Sequence, residues 1–582
     1  MNTALLVKSM VASTLLAGPG DSSTVASAIA EYLRRAEAFG FSGSVLVEVK
    51  GRPIVHAGFG LANRATGERI TPSTPFALAS VSKQFVSSAV MLLAQQGKLA
   101  PNDSLGRFFP DLPPDKRGIT LHELLTHTSG ISDRRAPTAR DAESFVRAVL
   151  ARPLASKPGE AHRYSNLGYG VLAALIERVS GQPYAEFMDH ALFAPLGMRG
   201  TYVVGAPGKS RRTHAYRASI DFGEPAPRDV MWNDVSGVGI VSTTEDLLRW
   251  ERALRRRALI SEASQRAMFT PYAESFGYGW TVQTNARGTT TISHNGLKLP
   301  EGWNSDYRRF PDDSVVVIVL SNTYREDALG WLVATNIVRL VFGGEVTFPP
   351  SVAAVPASVR LALSGEYAID STSGFRLARQ GESLTLEPVG QAAVNTLLFG
   401  AARDTLGFAD ANARATRVIE AVRDDALQRV ATELADVQPV AEWRTEMRAT
   451  WDSLVARYGD YRRHEVLYSS PSPVNPSASD TYLRLHFARD SVVIRYSWND
   501  GKLWGASDMG SFPGRQTEVE RIPSALPVAM SPDGQLVVMS LVSGSTRRLR
   551  IVRQDGRVAR LEVVGVGPPI LAIRCADPHC GS

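Results

Sequence analysis

Apolar and polar positions along the chain follow two periods, and the switches between them mark out the elements. Residues 42–60 alternate with period two, Val45, Val47 and Val49 and then Ile54 and His56, around a hairpin turn at Lys50-Gly51-Arg52-Pro53. After the apolar run Phe76-Ala77-Leu78-Ala79 the period lengthens. Val81, Phe85, Ala89, Leu92 and Leu93 recur at helical spacing, so a helix is expected to begin at Ser80 and stop at Gly97. Residues 84–260 read as mostly helical with long loops, including an apolar helix from Val171 to Val179. Strand patterns return at Thr289–Ile292 and Ser314–Leu320, and the second is continuously apolar, as a strand covered on both faces would be. A helix from Ala328 to Val341 is expected to pack back on the sheet. This order predicts an α/β portion assembled from both ends around a helical insertion, with Ser80 at the junction.

The pattern changes after residue 343. Gly343-Gly344, Pro349-Pro350 and Pro356 mark a linker. Beyond it, Gly365–Ile369 and Leu384–Leu386 suggest short strands. Ala415 to Leu434 is amphipathic, with Ile419, Val422, Ala426, Val430 and Leu434 on one stripe, and a second helix is expected from Trp443 to Tyr458, stopping at Gly459. Pro471–Ser479 reads as a low-complexity loop. Strands are expected at Tyr482–Phe487, Val492–Trp498, Lys502–Trp504, Leu536–Leu541, Leu549–Val552 and Val558–Val564, with turns at Asn499-Asp500-Gly501 and Asp555-Gly556. Long helices ahead of a sheet resemble a cystatin-type or nuclear-transport-factor-type cone.

Composition narrows the classes. A chain of 582 residues exceeds one core, so two or three domains are expected. The net charge is +6, but Lys and Arg are scattered among acids, and the one short run, Arg255-Arg256-Arg257, falls at an expected helix end. This reads as a solvated surface rather than a nucleic-acid footprint. No run of eighteen apolar residues occurs, so stable membrane insertion is not expected. Near the N-terminus Lys8 precedes a modestly apolar stretch, and Ala26-Ser27-Ala28 or the region near Ala17 would pass as a cleavage site. That favours an export signal and a periplasmic or secreted protein; the alternative is an apolar helix in a cytoplasmic one. The two cysteines, Cys575 and Cys580, close the chain as a tail disulfide or as free thiols. With His579 and Asp577 they make a poor metal site, and His-Glu-x-x-His is absent, so neither metal nor cofactor is expected.

Candidate chemistry centres on Ser80-Val81-Ser82-Lys83. An isolated Ser-x-x-Lys is common by chance, and a serine at a helix start ordinarily caps it. On one helical face, however, Ser80 and Lys83 lie a turn apart, close enough for a nucleophile and its base. The helix start also offers free N–H groups for a developing oxyanion. Two further elements follow in order: Tyr164-Ser165-Asn166, ahead of the apolar helix, and His294-Asn295-Gly296, after the run Thr289–Ile292. Between them stand Ile119-Thr120-Leu121-His122-Glu123-Leu124-Leu125-Thr126-His127-Thr128-Ser129-Gly130 and Gly237-Val238-Gly239-Ile240-Val241-Ser242-Thr243 with Asp246-Leu247. Over about residues 30–345 the chain resembles the penicillin-recognising serine hydrolases: class C β-lactamases, DD-peptidases, D-aminopeptidases and class VIII esterases.

The resemblance implies a β-lactamase/transpeptidase-like hydrolase domain, α/β (α+β), with an antiparallel sheet and a helical subdomain, followed by C-terminal β-rich or α+β accessory modules. D-aminopeptidases of this family carry β-barrel modules after the hydrolase. The expected division is a leader at 1–28, hydrolase domain at 29–345, linker at 346–358, small β module at 359–407 and α+β module at 408–582. By the same resemblance Ser80 forms an acyl-enzyme, and Lys83 and Tyr164 share the proton; which of them is the base stays open. Asn166 would hydrogen-bond the substrate amide or Lys83, and the N–H groups of Ser80 and Leu297 would form the oxyanion hole. His294, Asn295 and Gly296 line the substrate side.

Where class C β-lactamases carry Lys-Thr-Gly, this chain has His294-Asn295-Gly296, and a histidine is charged only below roughly pH 6.5 unless its surroundings shift it. That resembles the peptidase and esterase branches. Lys298 is a possible substitute cation, though a plain surface lysine is the simpler reading. His127 reads as a structural hydrogen-bonding residue at a helix end. Trp232, Tyr278 and Trp280 line the cleft or pack the core. The expected function is a serine acyl-hydrolase acting on a small-molecule or peptide substrate: peptides containing D-residues, or related esters. The alternatives are a carboxylesterase with weak β-lactamase activity and a non-catalytic protein that binds cell-wall peptides. The oligomeric state is left open.

Overall fold

The computed structural model describes residues 18–132, 137–206, 213–217, 220–224, 230–298, 301–324, 330–371, 373–380, 382–399, 408–435, 439–472, 475–508, 526–539, 541, 546–564 and 570–575. Helix α1 (Ser22–Ala38) opens it, capped by the Asp21 carboxylate, which accepts from Thr24 N–H. The hairpin β1 (Gly43–Val49) and β2 (Arg52–Phe59) follows, its turn taking positive φ at Lys50 and Gly51. Next come α2 (Lys83–Gln95), α3 (Asn166–Ser180) and α4 (Thr244–Arg256). The chain then returns to the sheet with β3 (Thr281–Thr284), β4 (Thr290–Lys298), β5 (Trp303–Phe310), β6 (Val315–Ser321) and helix α5 (Gly330–Val341). All six strands pair antiparallel in the order β3-β4-β5-β6-β1-β2. The central pairing of β6 with β1 joins the two ends of this part of the chain, Val319 opposite Val45.

Every residue of β6 is buried, and alternate side chains enter two different cores. Val316, Ile318 and Leu320 face the helical layer with Leu78, Val81 and Phe85 of the Ser80 segment. Val315, Val317 and Val319 face α1 and α5, with Ile29, Leu33, Val333 and Ile337. A strand covered on both sides reads as unbroken hydrophobicity because neither face meets water.

The C-terminal half departs from the expected division. Strands β7 (Gly365–Ala368), β8 (Gly374–Gln380) and β9 (Ser383–Val389) belong to a closed eight-stranded barrel. Its other five strands lie some 140 residues later in the sequence, at 526–530, 536–539, 546–554, 557–564 and 570–574. The stretch between is an insertion. Helices α6 (Phe408–Arg423) and α7 (Val440–Tyr458) pack on a four-stranded antiparallel sheet, β10 (Tyr461–Ser472), β11 (Asn475–Phe487), β12 (Ser491–Asn499) and β13 (Lys502–Asp508). A boundary near residue 407 therefore cuts the barrel instead of separating two modules. The first three strands close only by pairing with the later ones, as Leu384 does with Val528 and Tyr367 with Arg574.

Smaller differences have local causes. The stripe expected as one helix over 415–434 breaks at Asp425, which takes φ 53°, and resumes as a short 3-10 helix. Much of the low-complexity stretch 471–479 is strand, since β10 and β11 continue into it. A junction at residue 28 does not fit α1, whose Val25, Ile29, Tyr32 and Leu33 are all buried in the α1–α5 core. The preceding segment 1–17 and Cys580 lie outside the described residues, and Cys575 is disulfide-bonded. Among the described residues no helix is long and apolar enough to cross a membrane.

Candidate active site

Ser80 does not stand in a regular α-helix. It lies in a short 3-10 helix, Ala79–Ser82, from which α2 continues at Lys83. Ala79 takes φ 48°, a left-handed conformation that costs a side-chain-bearing residue about 1–2 kcal/mol. Neighbouring strands hold this turn in place. Leu78 N–H donates to Ile240 O at 2.8 Å and Ile240 N–H to Ser82 Oγ at 3.1 Å. Ser305 Oγ donates to Leu78 O at 2.7 Å. Thus Ile240, in the Gly237–Thr243 segment, and Ser305, on β5, present the nucleophile candidate. Ser80 caps neither helix: Leu78 and Ser82 occupy the cap positions, and neither makes a side-chain capping bond.

Lys83 is fully buried, and its ammonium donates to Ser80 Oγ at 3.2 Å and to Asn166 Oδ1 at 2.7 Å. It lies 4.8 Å from the centroid of the Tyr164 ring and 5.5 Å from that of Tyr169. Both lie within cation–π range. Asn166 is the first residue of α3, and the Ser165 hydroxyl caps that helix by accepting from Gly168 N–H at 3.0 Å. The tripeptide thus turns a helix start toward Lys83, and Asn166 takes the lysine-bonding option of the two expected for it.

His294, Asn295 and Gly296 lie within β4 rather than beyond its end. Register with β5 sets Gly296 opposite Ser305 and Leu297 opposite Asn304. A side chain at 296 would meet Leu78 O at 2.3 Å and Ser80 N at 3.0 Å, so glycine lets the strand run against the Ser80 turn. His294 is buried, and its Nδ1–H donates to Asn295 O at 2.6 Å. Burial, reinforced by the Lys83 ammonium, holds its pKa down to about 3, so the ring is neutral at ordinary pH. The third motif therefore supplies a neutral imidazole, and the Lys298 ammonium is engaged by Glu301 at 3.2 Å.

Histidine and aromatic side chains surround Tyr164. His127 stacks on the Tyr164 ring at 4.3 Å and 28°, and His162 stacks on Phe276 at 4.7 Å. Phe276 meets Tyr164 at 6.0 Å, and Glu274 reaches His162 Nδ1 at 3.4 Å. His162 stands two positions before Tyr164, and this spacing was the available signal; Phe276 and Glu274 carry no local pattern. Trp232, Tyr278 and Trp280 are buried. Trp280 packs edge-on against Phe269 and Tyr307, Tyr278 shares a hydrogen bond with His122 Nδ1, and Trp232 donates to Gly170 O. Among the described residues no group of three His, Cys, Asp or Glu could hold a metal ion.

Comparison with known proteins adds an independent line. Penicillin-binding protein 4* of Bacillus subtilis (strain 168) is 28% identical over 385 residues, 60% of this chain and 84% of that protein. The putative penicillin-binding protein PbpX of the same organism is 28% identical over 312 residues, 52% of this chain and 75% of that protein. Among solved structures, D-amino acid amidase from Ochrobactrum anthropi SV3 aligns with a TM-score of 0.48 at 22% identity, covering 55% of this chain and 97% of that one. The sequence profile described as Beta-lactamase matches residues 26–337, over half of the chain, and takes in the Ser80, Tyr164 and His294 motifs together with the six-stranded sheet. The chain therefore belongs to the Beta-lactamase family and is a serine hydrolase of the β-lactamase/penicillin-binding-protein type.

Proposed function

We propose that this chain is an acyl-hydrolase that forms its acyl-enzyme on Ser80 and acts on D-residue-containing peptides or amides, or on small esters. The observation that carries the proposal is the convergence on Lys83 Nζ: Ser80 Oγ at 3.2 Å, Asn166 Oδ1 at 2.7 Å and the Tyr164 ring at 4.8 Å. Ser80 Oγ attacks the substrate carbonyl, and its proton passes to the Lys83–Tyr164 pair, which act together. The carbonyl electrons move onto oxygen, stabilised by the N–H groups of Ser80 and Leu297. Collapse expels the amine or alcohol, which takes the proton back from the pair. Water then attacks the ester on Ser80 through the same groups and restores the hydroxyl. A Cβ built at Gly296 would come within 3.0 Å of Ser80 N, and this close passage of β4 by the Ser80 turn supports the pairing of donors.

The neutral His294 supports the substrate class. A β-lactam or a C-terminal D-alanyl peptide presents a carboxylate, which a permanent cation in the third motif would bind. A neutral imidazole offers hydrogen bonds without charge. Carboxylesterase activity with weak β-lactam hydrolysis is the second reading that the same observation favours. A periplasmic or secreted location is part of the proposal.

Covalent labelling tests it. A fluorescent penicillin or fluorophosphonate should tag the wild type and leave Ser80→Ala untagged, and turnover by the variant should fall on the order of 10³-fold or more. Rates on D-alanyl amides and p-nitrophenyl esters should exceed the rate on nitrocefin. Labelling that persists in Ser80→Ala would put the nucleophile at another residue, and no labelling and no turnover with any of these substrates would favour a protein that only binds cell-wall peptides.

A further inference from the structure

Tyr164 is held by one residue acting at three points. His127 follows the short helix Leu121–Leu125 in a left-handed conformation, φ 59°, and is buried. Hydrogen bonds on either side fix that turn: His127 N–H to Leu124 O at 3.3 Å and Thr128 N–H to Glu123 O at 2.8 Å. On one flank of Tyr164, Arg163 N–H donates to the His127 carbonyl at 2.7 Å. On the other, Ser165 N–H donates to His127 Nδ1 at 3.1 Å. Between these two anchors the imidazole stacks on the Tyr164 ring, centroids 4.3 Å apart. The imidazole is itself wedged among Tyr169 at 4.9 Å, Phe276 at 5.5 Å and His162 at 5.9 Å.

We propose that His127 is a positioning residue for Tyr164, clasping the main chain before and after it and seating its ring beside Lys83. The proposal rests on the reading of Tyr164 as a carrier of the serine proton. Its chemistry requires Nδ1 as an acceptor, so the neutral ring carries its hydrogen on Nε2. Burial and the nearby Lys83 ammonium keep the imidazole neutral, which preserves that acceptor. Ordinary helix termination would need only the carbonyl contacts. The side-chain bond to Ser165 N–H and the ring stack both act on the segment that carries the phenol.

Two substitutions separate the parts. His127→Phe keeps a flat ring and removes the acceptor. His127→Asn keeps an oxygen near the Nδ1 position, tolerates the left-handed backbone and removes the stack. With folded enzyme quantified by Ser80 labelling, His127→Phe should lower kcat for acylation by about 10–100-fold at an unchanged KM. His127→Asn should restore activity to within about tenfold of wild type. A double-mutant cycle then tests the route. In a Tyr164→Phe background, itself slow, His127→Asn should cause no further loss, because the group it positions is gone. A fully additive loss, or His127→Phe turning over at the wild-type rate per labelled site, would overturn the positioning role. Wild-type turnover in Tyr164→Phe alone would instead overturn the reading of Tyr164. If His127→Phe fails to fold, His127→Asn and its cycle still decide.

Discussion

Gly296 owes its identity to the carbonyl of Leu78. A Cβ at this position would sit 2.3 Å from that oxygen, so only glycine lets β4 lie against the Ser80 turn. Gly296→Ala must push the strand or the turn aside. Displacing reacting groups by about an ångström costs on the order of 10²-fold in rate, so kcat should fall by that amount. The hydrogen bond from Ser305 to Leu78 O and the β4–β5 register should keep the fold intact. Steady-state kinetics beside a circular-dichroism melt would check both parts, and full activity in the alanine variant would contradict the packing. The left-handed Ala79 reports the same constraint: a strained residue survives there because Ile240 and Ser305 fix both sides of it.

At the level of elements, a helix start also aims a side chain. Helix α3 begins at Asn166, so capping the helix and aiming the asparagine at Lys83 are one event. Ser165→Ala removes the acceptor for Gly168 N–H and should cost about 1 kcal/mol of stability, read as a lowered urea midpoint; Ser165→Thr should recover most of it. Turns were the most legible elements. Asp500-Gly501 and Asp555-Gly556 both take positive φ at each residue, as two-residue hairpins require. The helix α7 stop at Gly459 follows from the same kind of local chemistry. Strand extent was less legible. The Thr289–Ile292 pattern continues as β4 to Lys298 because β5 pairs with it from Ile292 to Lys298, a contact between segments rather than a property of either.

At the scale of the molecule, the six-stranded sheet separates two cores, with the Ser80 helix on one side and α1 and α5 on the other. Ala529, Val537, Met539 and Leu541 of the barrel segment join the second core, so the C-terminal half docks on the face away from Ser80. Buried histidines on the active-site side give the whole fold an acid sensitivity. Burial, with the Lys83 ammonium adding to it, holds His127 well below its usual range and His294 at about 3. Unfolded, each titrates near 6.5, so below that pH the unfolded chain binds more protons and stability falls with pH. Each of the two should contribute a loss of about 1.4 kcal/mol per pH unit in that range. The melting temperature should therefore hold between about pH 8 and 7 and drop between about pH 6.5 and 5.5, with a shallower slope in His294→Gln. A melting temperature that does not change over that window would show that these rings titrate normally in the folded protein.

The sequence by itself determined the elements whose cause is local: the helical stripe after Ser80, the Asp-Gly turns, the doubly buried strand read at Ser314–Leu320, and the three motifs with their order. Their residue types and spacing are fixed by chain geometry, so they can be read without a fold. The tertiary structure alone decided what depends on distant segments meeting. The barrel closes with strands from both sides of the insertion at 390–525, which no local composition reveals. The charge state of His294 follows from burial beside Lys83, and the setting of Tyr164 follows from a histidine 37 positions earlier in the chain. Desolvation and packing belong to the assembled core, and they turn three separate motifs into one site.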